Sequence, residues 1–361
     1  MDSSMDVSIG ESVIQALRNK QPKKPIYLTD LVADDLLKTK KRKWRQNWDT
    51  RKRVAVRVAE LLADGKASHK KLAERISECC TMLNYGWVQS EEVGGFQFKT
   101  ARFCRVRTCP ICQWRRSKML LARFYEAFPR IEQDYPRMRY VMLTLTVKNC
   151  PVSELRDTIK GMNKAWDRLA KKKAFPAVGF IRSLEVTKEL DRKDKTTKQI
   201  IKARPNYAHP HFHVLLALEP SYFGKNYLST EKWAALWQDA LRSDYTPICD
   251  VRIVKAKEDS ENTPTNDSEP KLSGIHAAIV EVFKYTVKPS DMMQDSDFLC
   301  EMVNQMHKLR SVSFGGIFKQ YLQDAETDEE DQDQPEEQNK GGFYFGWYNK
   351  SRRYRYLKDF R

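Results

Sequence analysis

Residues 209–213 read His-Pro-His-Phe-His and run directly into Val214, Leu215 and Leu216. Successive side chains of a β-strand point to opposite faces, so the three histidines would share one face, with Phe212, Val214 and Leu216 on the other. The apolar run predicts a buried strand. Because histidine is a common metal ligand, this strand predicts a metal site; the alternative is an edge strand with three surface histidines.

Residues 281–288 read Glu-Val-Phe-Lys-Tyr-Thr-Val-Lys. On a helix, Glu281, Tyr285 and Lys288 are spaced i, i+4, i+7 and form one stripe. Taken alone, this pattern is typical of an ordinary amphipathic helix with solvated charges. Beside a metal-binding strand, however, a tyrosine, an acid and a cation are the components of a phosphodiester transesterase.

With these motifs the chain resembles the rolling-circle plasmid replication initiators of the HUH endonuclease superfamily. It resembles the branch that has one catalytic tyrosine and an acid four residues before it. The cysteine-rich stretch 103–116 is also similar. So is Ser183-Leu-Glu-Val-Thr187. The three motifs that carry the resemblance, in the family's order, are Tyr140-Val-Met-Leu-Thr-Leu-Thr-Val147, His-Pro-His-Phe-His-Val-Leu-Leu at 209–216, and Glu-Val-Phe-Lys-Tyr-Thr-Val-Lys at 281–288.

The resemblance implies that His211 and His213 are metal ligands. A third ligand usually comes from a neighbouring strand, and Glu185 is the candidate; His209 is the alternative, because it would share the histidine face. Imidazole and carboxylate ligands with open positions suit a divalent ion such as Mn²⁺ or Mg²⁺.

The resemblance also implies the catalytic roles. Tyr285 would attack the scissile phosphate, leaving a 5′-phosphotyrosine and a free 3′-hydroxyl that primes synthesis. Glu281 would activate a water that releases the strand. Lys288 would lie near the phosphate or the phenolate and stabilise negative charge; the alternative is a solvated lysine.

The cysteines predict a second metal site. Cys104, Cys109 and Cys112 include a C-x2-C pair, which together with an upstream cysteine is typical of structural Zn²⁺. Cys79 resembles the family's upstream cysteine, and Cys80 is the alternative fourth ligand. The competing interpretation is buried free cysteines. Basic residues around this cluster, together with Trp114, suit contact with the DNA backbone; they are Arg105, Arg107, Arg115 and Arg116.

The composition is that of a nucleic-acid-binding protein. The chain has 64 Lys and Arg against 48 Asp and Glu, a formal net charge of +16. Residues 324–337 contain nine acids and no Lys or Arg, so the remaining chain is more basic than the total suggests. Such a surface is expected to bind polyanions in a salt-dependent manner. The acidic start lacks an apolar segment, and apolar runs such as 140–147 are too short to span a bilayer. We therefore expect a cytoplasmic protein with no membrane partner.

The expected fold class is α+β: an HUH endonuclease fold with a central antiparallel β-sheet flanked by helices, plus a zinc-binding element and a helical N-terminal region. Within the catalytic region, predicted strands lie at about 139–147, 178–187, 210–218 and 248–255, followed by a helix at 275–288. The predicted domains are a basic helical region at 1–65, a cysteine-rich element at 66–130, a nicking and joining domain at 131–290, and a C-terminal region at 291–361 with an acidic linker at 324–338.

Two flanking segments have alternative interpretations. Residues 38–57 are basic and contain Trp44 and Trp48, which predicts either a DNA-contacting helix or an amphipathic helix with tryptophans in a core. The aromatic and basic residues of 343–356 predict either a stacking surface for single-stranded DNA or a packed β-hairpin.

The sequence therefore favours an initiator that nicks one strand of origin DNA and rejoins or releases it. Its partners would be the origin duplex, the single-stranded nick site, and a host helicase and DNA polymerase. Two alternatives remain: an HUH relaxase or single-strand transposase, and a non-catalytic zinc-dependent DNA-binding regulator.

Overall fold

The computed structural model of the chain describes residues 25–28, 48–89, 94–193, 197, 199–254, 274–284, 286–293, 295–322 and 342–357. The α-helices are α1 (Trp48–Ala63), α2 (Ala67–Glu78), α3 (Pro110–Asp134), α4 (Leu155–Ala170), α5 (Thr230–Leu241), α6 (Gly274–Val282), α7 (Pro289–Met292), α8 (Ser296–Met306) and α9 (Ile317–Leu322). The strands are β1 (Met82–Gln89), β2 (Gly94–Ala101), β3 (Arg139–Thr146), β4 (Cys150–Pro151), β5 (Ala177–Lys188), β6 (Arg192–Lys193), β7 (Ile200–Ile201), β8 (Tyr207–Leu218), β9 (Cys249–Val254), β10 (Val312–Gly316), β11 (Phe343–Tyr348) and β12 (Arg353–Leu357).

These residues form two compact units. The first contains the described residues before Gln113 together with 342–357, and the second contains those from Gln113 to Leu322. Helix α3 begins in the first unit and continues in the second. The four-domain division expected from the sequence stays a prediction, and its acidic linker lies outside the described residues.

The second unit is built on an antiparallel sheet with the strand order β10-β5-β8-β3-β9. Four of these strands confirm the predicted strands of the catalytic region. Strand β8 lies at the centre, and from Pro210 to Leu218 it is buried throughout. Such continuous burial explains why its sequence becomes an unbroken apolar run after the histidines.

Helices cover both faces of this sheet, which confirms the α+β fold with a central antiparallel sheet. On one face Leu215 packs in a core with Phe124 of α3, Ile279 of α6 and Phe318 of α9. On the other face Phe212 contacts the ring of Trp237 of α5. Because His211 and His213 have the same parity as Leu215, helix α6 lies over the histidine face of the sheet.

The expected helix over residues 275–288 is too long. Helix α6 ends at Val282, and Val287 instead pairs in parallel with Val186 of β5. The amide of Val186 donates to the carbonyl of Thr286 at 2.8 Å. Lys288 precedes Pro289 and is extended, with φ −65° and ψ 133°, because a following proline disfavours the helical region. Lys288 is therefore not on a common helical stripe with Glu281.

The first unit contains a second antiparallel sheet with the order β12-β11-β1-β2. Strands β11 and β12 confirm the packed hairpin, and Phe345 and Tyr354 are fully buried, so these two rings do not offer a surface for DNA bases. Trp48 is also buried and contacts the ring of Phe98, which favours the core interpretation for this tryptophan. Trp44 lies outside the described residues.

Candidate active site and cysteine cluster

The predicted metal ligands meet on two neighbouring strands. His211 of β8 lies directly opposite Glu185 of β5, and His213 lies two residues further along the same face. Nε2 of His213 is 2.7 Å from Oε2 of Glu185, and Nε2 of His211 is 3.3 Å from the same oxygen. The three ligand atoms lie within 4.8 Å of one another. This donor set of two imidazole nitrogens and a carboxylate fits a divalent transition or hard metal ion.

The cluster places ionisable side chains in a buried environment, where an unpaired charge is costly. Glu185 is 4% exposed, and both imidazoles are buried. Burial alone would raise the pKa of Glu185, but hydrogen bonds with His211 and His213 outweigh it and hold that pKa well below its usual range. The second oxygen, Oε1, is buried without a hydrogen bond among the described residues and lies 3.3 Å from Nζ of Lys288. A buried carboxylate with an unsatisfied oxygen fits a cation site.

The remaining ring nitrogens are held by the sheet. Nδ1 of His211 lies 3.2 Å from the carbonyl oxygen of His209, and Nδ1 of His213 lies 3.5 Å from Oγ1 of Thr144. Backbone or hydroxyl partners at Nδ1 orient an imidazole so that Nε2 faces the metal. Thr144 belongs to β3 and is paired with His213 of β8.

His209 is not part of the three-residue cluster. Its Nδ1 lies 2.5 Å from Oδ1 of Asn149, and burial lowers the pKa of His209 to about 4, with His211 adding to the effect. The expectation that His209 rivals Glu185 is therefore not supported by the geometry, because the side chain is engaged by Asn149 while Glu185 faces both other histidines.

Of the three predicted catalytic residues, the structure describes Glu281 and Lys288. Tyr285 lies outside the described residues. Glu281 is in the last turn of α6, with Oε1 4.0 Å from Nε2 of His213, and it forms an ion pair with Lys284. Lys288 lies beyond the end of this helix and contacts Glu185. Of the described residues near Tyr285 in the sequence, Lys288 thus contacts Glu185 and Glu281 lies near His213.

Four of the five cysteines of the first unit form a second cluster. Sγ of Cys112 lies 3.7 Å from Sγ of Cys79 and 3.6 Å from Sγ of Cys104. With Cys109, these ligand atoms all lie within 4.8 Å of one another. A Zn–S bond of about 2.3 Å in a tetrahedral site implies a sulfur–sulfur separation of about 3.8 Å. The observed spacing therefore fits a structural zinc ion.

The close packing of these thiols shifts their pKa values in opposite directions. Hydrogen bonds from Cys104, Cys109 and Cys112 lower the pKa of Cys79, whereas burial raises the pKa of Cys109. Four adjacent thiols cannot all ionise without a cation, because like charges disfavour one another. Zn²⁺ supplies that cation in sites of this composition.

Cys80 lies outside this set. It has a positive φ of 52° and is fully buried, and its Sγ is 3.9 Å from Sγ of Cys79. The hydroxyl of Tyr354 donates to the Cys80 carbonyl at 2.5 Å. Because Cys80 is not within the four-sulfur cluster, the geometry favours Cys79 as the fourth ligand.

A buried lysine beside the cysteines was missed in the sequence analysis. Lys52 of α1 is 0% exposed, and its ammonium donates to the carbonyls of Ser77 at 2.7 Å and Cys79 at 2.6 Å. Burial lowers the pKa of Lys52, and the neighbouring cysteines counteract this. Its position in the sequence could have indicated this burial, because Lys52 lies on the same helical stripe as the apolar residues Trp48 and Ala55.

The arginines expected to bind DNA are all half-buried and already make interactions within the protein. They are Arg105, Arg107, Arg115 and Arg116. Their role in DNA binding stays a prediction. Trp114 is only 8% exposed, which leaves little of its ring available to DNA, and its contact with DNA also stays a prediction. In the portion of the chain that is described, no helix is long and apolar enough to cross a bilayer.

The chain is similar to known replication proteins over most of its length. A family model described as replication protein matches residues 95–355. The protein rep of Bacillus amyloliquefaciens is 33% identical over 306 residues, covering 80% of this chain and 84% of that protein. The protein rep of Streptococcus pneumoniae serotype 2 (strain D39 / NCTC 7466) is 31% identical over 291 residues, covering 79% and 81%. The protein rep of Lactiplantibacillus plantarum is 31% identical over 312 residues, covering 84% and 88%. No solved structure matches the chain significantly.

Proposed function

The chain belongs to the family of replication proteins, Rep, and from this premise we propose that it initiates rolling-circle replication of a plasmid by nicking one strand of origin DNA. The observation that supports the proposal is the cluster of Glu185, His211 and His213, which lies close to Glu281 and Lys288, four residues before and three residues after Tyr285 in the sequence. The family membership agrees with the resemblance drawn from the sequence motifs.

Glu185, His211 and His213 would hold a divalent ion, Mn²⁺ or Mg²⁺. When bound, such an ion polarises a phosphate oxygen and stabilises the negative charge that develops during displacement. Lys288 would add a second positive charge, because its ammonium already lies 3.3 Å from Glu185 at the edge of the cluster. The two histidines are oriented by β8 and β3, so little reorganisation is needed when DNA binds.

Tyr285 would be the nucleophile. Its phenol loses a proton, its oxygen bonds to the phosphorus, and the bond from phosphorus to the 3′ oxygen breaks as that oxygen takes up a proton. The products are a 5′-phosphotyrosine and a 3′-hydroxyl, which a host polymerase can extend behind a host helicase. The phosphotyrosine conserves the energy of the broken bond, so rejoining needs no nucleotide cofactor.

Glu281 would act in the last step, when the strand is released from Tyr285. Its carboxylate is 38% exposed and lies within 4.0 Å of His213, where it can accept a proton from a water next to the bound phosphate. Attack of that water on the phosphotyrosine would release the strand. The cysteine cluster would hold a structural Zn²⁺ in the first unit.

The experiment is a covalent-adduct assay. The protein is incubated with Mn²⁺ and labelled single-stranded oligonucleotides that tile the replicon encoding it, and is then run on a denaturing gel. We expect a shifted band that disappears in Tyr285→Phe and persists in Tyr227→Phe, a control at a tyrosine that is 37% exposed.

An adduct that survives Tyr285→Phe would show that another residue is the nucleophile. Absence of any adduct across the tiled replicon would support the zinc-dependent regulator. Nicking without polymerase-dependent release of unit-length circles would favour the relaxase or transposase.

A further inference from the structure

The backbone on both sides of Tyr285 is anchored by one helix. Phe283 and Val287 are 1% and 2% exposed. Helix α6 ends at Val282, so the carbonyl of Phe283 belongs to the group of terminal carbonyls that have no partner within a helix. Such a buried group requires a donor from elsewhere in the protein.

Ser117 of helix α3 supplies that donor. Its hydroxyl donates to the carbonyl oxygen of Phe283. Four residues earlier on the same helix, Gln113 accepts a hydrogen bond at Oε1 from the amide of Val287 at 3.4 Å. Residues four apart lie on one face of a helix, so a single face of α3 binds the main chain two residues before and two residues after Tyr285.

The other contacts of this segment reinforce the same arrangement. Nε2 of Gln113 donates to Sδ of Met292 at 3.8 Å, which orients the amide so that Oε1 faces Val287. The carbonyl of Thr286 accepts from Val186 of β5 at 2.8 Å, the strand that carries Glu185. Between the anchored carbonyls of Phe283 and Thr286 the chain therefore has only Lys284 and Tyr285.

We propose that Gln113 and Ser117 are positioning residues for the tyrosine nucleophile: through hydrogen bonds to Val287 and Phe283 they fix the main chain two residues after and two residues before Tyr285. This inference rests on the proposed function, because it assumes that Tyr285 attacks DNA. Neither side chain contacts the metal ligands in the described part of the structure, so both act through the position of another residue.

A small displacement of a nucleophile strongly lowers the rate of its reaction. A misplacement of about 1 Å can reduce a rate by about 100-fold, since the attacking atom must lie close to the reacting phosphorus and in line with it. Loosening either anchor should therefore slow attack while leaving DNA affinity intact. A purely structural hydrogen bond would instead lower stability without a selective effect on the chemical step.

The experiment measures single-turnover adduct formation at saturating labelled oligonucleotide and Mn²⁺. The affinity for the same oligonucleotide is measured separately by fluorescence anisotropy. We expect Ser117→Ala and Gln113→Leu each to slow adduct formation by about tenfold, and the double variant by about 100-fold, with unchanged oligonucleotide affinity.

Conservative variants provide matched controls. Ser117→Thr keeps the hydroxyl donor and Gln113→Glu keeps an acceptor oxygen for Val287, so both should retain most of the rate. Glu126→Gln, at an exposed position of the same helix, should behave as wild type. Thermal unfolding of every variant identifies loss of fold, and the conservative pair still tests the proposal if the truncations unfold.

The outcomes separate the two proposals. If the wild-type protein forms no adduct through Tyr285, the proposed function fails. If the wild type reacts and the truncated variants react equally fast, only the positioning role is wrong. A loss of oligonucleotide affinity that accounts for the whole defect, or conservative variants as slow as the truncations, would also overturn it.

Discussion

The carboxylate of Glu185 lies 2.7 Å from Nε2 of His213, although 28 residues separate them in the chain. The contact is diagonal across two antiparallel strands, because Glu185 is paired with His211 and not with His213. One oxygen of Glu185 therefore faces both imidazoles. The register of β5 against β8 therefore brings the predicted metal ligands together.

This relationship predicts the metal ligands. Glu185→Gln should reduce Mn²⁺ affinity, measured by isothermal titration calorimetry, by at least about tenfold, since even residues that only orient a ligand contribute about 10- to 100-fold. His209→Ala is the matched control and should bind Mn²⁺ nearly as wild type does, because the His209 side chain contacts Asn149 instead. If the two variants lose equal affinity, the assignment of the third ligand is wrong.

Glu281 should affect strand release and not strand cleavage. Glu281→Gln removes the proton acceptor beside His213 and should slow hydrolysis of the phosphotyrosine adduct by about 100-fold or more, which is the usual contribution of a general base. The initial rate of adduct formation should be almost unchanged. Following adduct decay after a chase with unlabelled oligonucleotide measures this difference, and equally fast decay in the variant and the wild type would contradict it.

The cysteine cluster predicts which thiols hold zinc. Cys79→Ser should lower the zinc content of the purified protein below one equivalent, because one of the four thiolates is lost. Cys80→Ser should retain a full equivalent, since Cys80 lies outside the four-sulfur cluster. Zinc content is measured by atomic absorption, and the reverse result would make Cys80 the fourth ligand.

Lys52 should stabilise the first unit and its zinc site. Lys52→Met leaves the buried carbonyl of Cys79 without its donor, which costs about 1–3 kcal/mol of unfolding free energy for such a group, and also removes the donor to the partly buried carbonyl of Ser77. It also removes a buried positive charge beside the thiolates, so zinc should be lost to a chelator more readily.

The matched control is Lys70→Met, at an exposed position of α2, which should unfold as the wild type does. Urea unfolding followed by circular dichroism and a competition with a chromogenic chelator make the two measurements. Equal stability and equal zinc retention in Lys52→Met and wild type would show that the buried ammonium is not important for the site.

Local patterns predicted much of the second unit. Alternation along 209–213 and the apolar run after it indicated the strand and its two faces, whereas the role of Glu185 on a neighbouring strand came from the family resemblance. The strand and its faces depend on the backbone geometry of consecutive residues, which is why they can be read from the chain alone. The helix that carries Glu281 was predicted too long, because its end depends on Pro289 and on pairing of Val287 with β5.

By itself, the sequence determined the histidine strand, the cysteine spacing and the motifs that identify the family. Only the tertiary structure decided that Glu185 and not His209 faces His211 and His213, that Cys79 and not Cys80 joins the other thiols, and that Lys52 is buried against them. Spacing along a chain sets which side chains share a face of one element. The pairing of particular residues across two strands and the burial of a charge result from packing between residues far apart in sequence, so the spacing of residues along the chain does not reveal them.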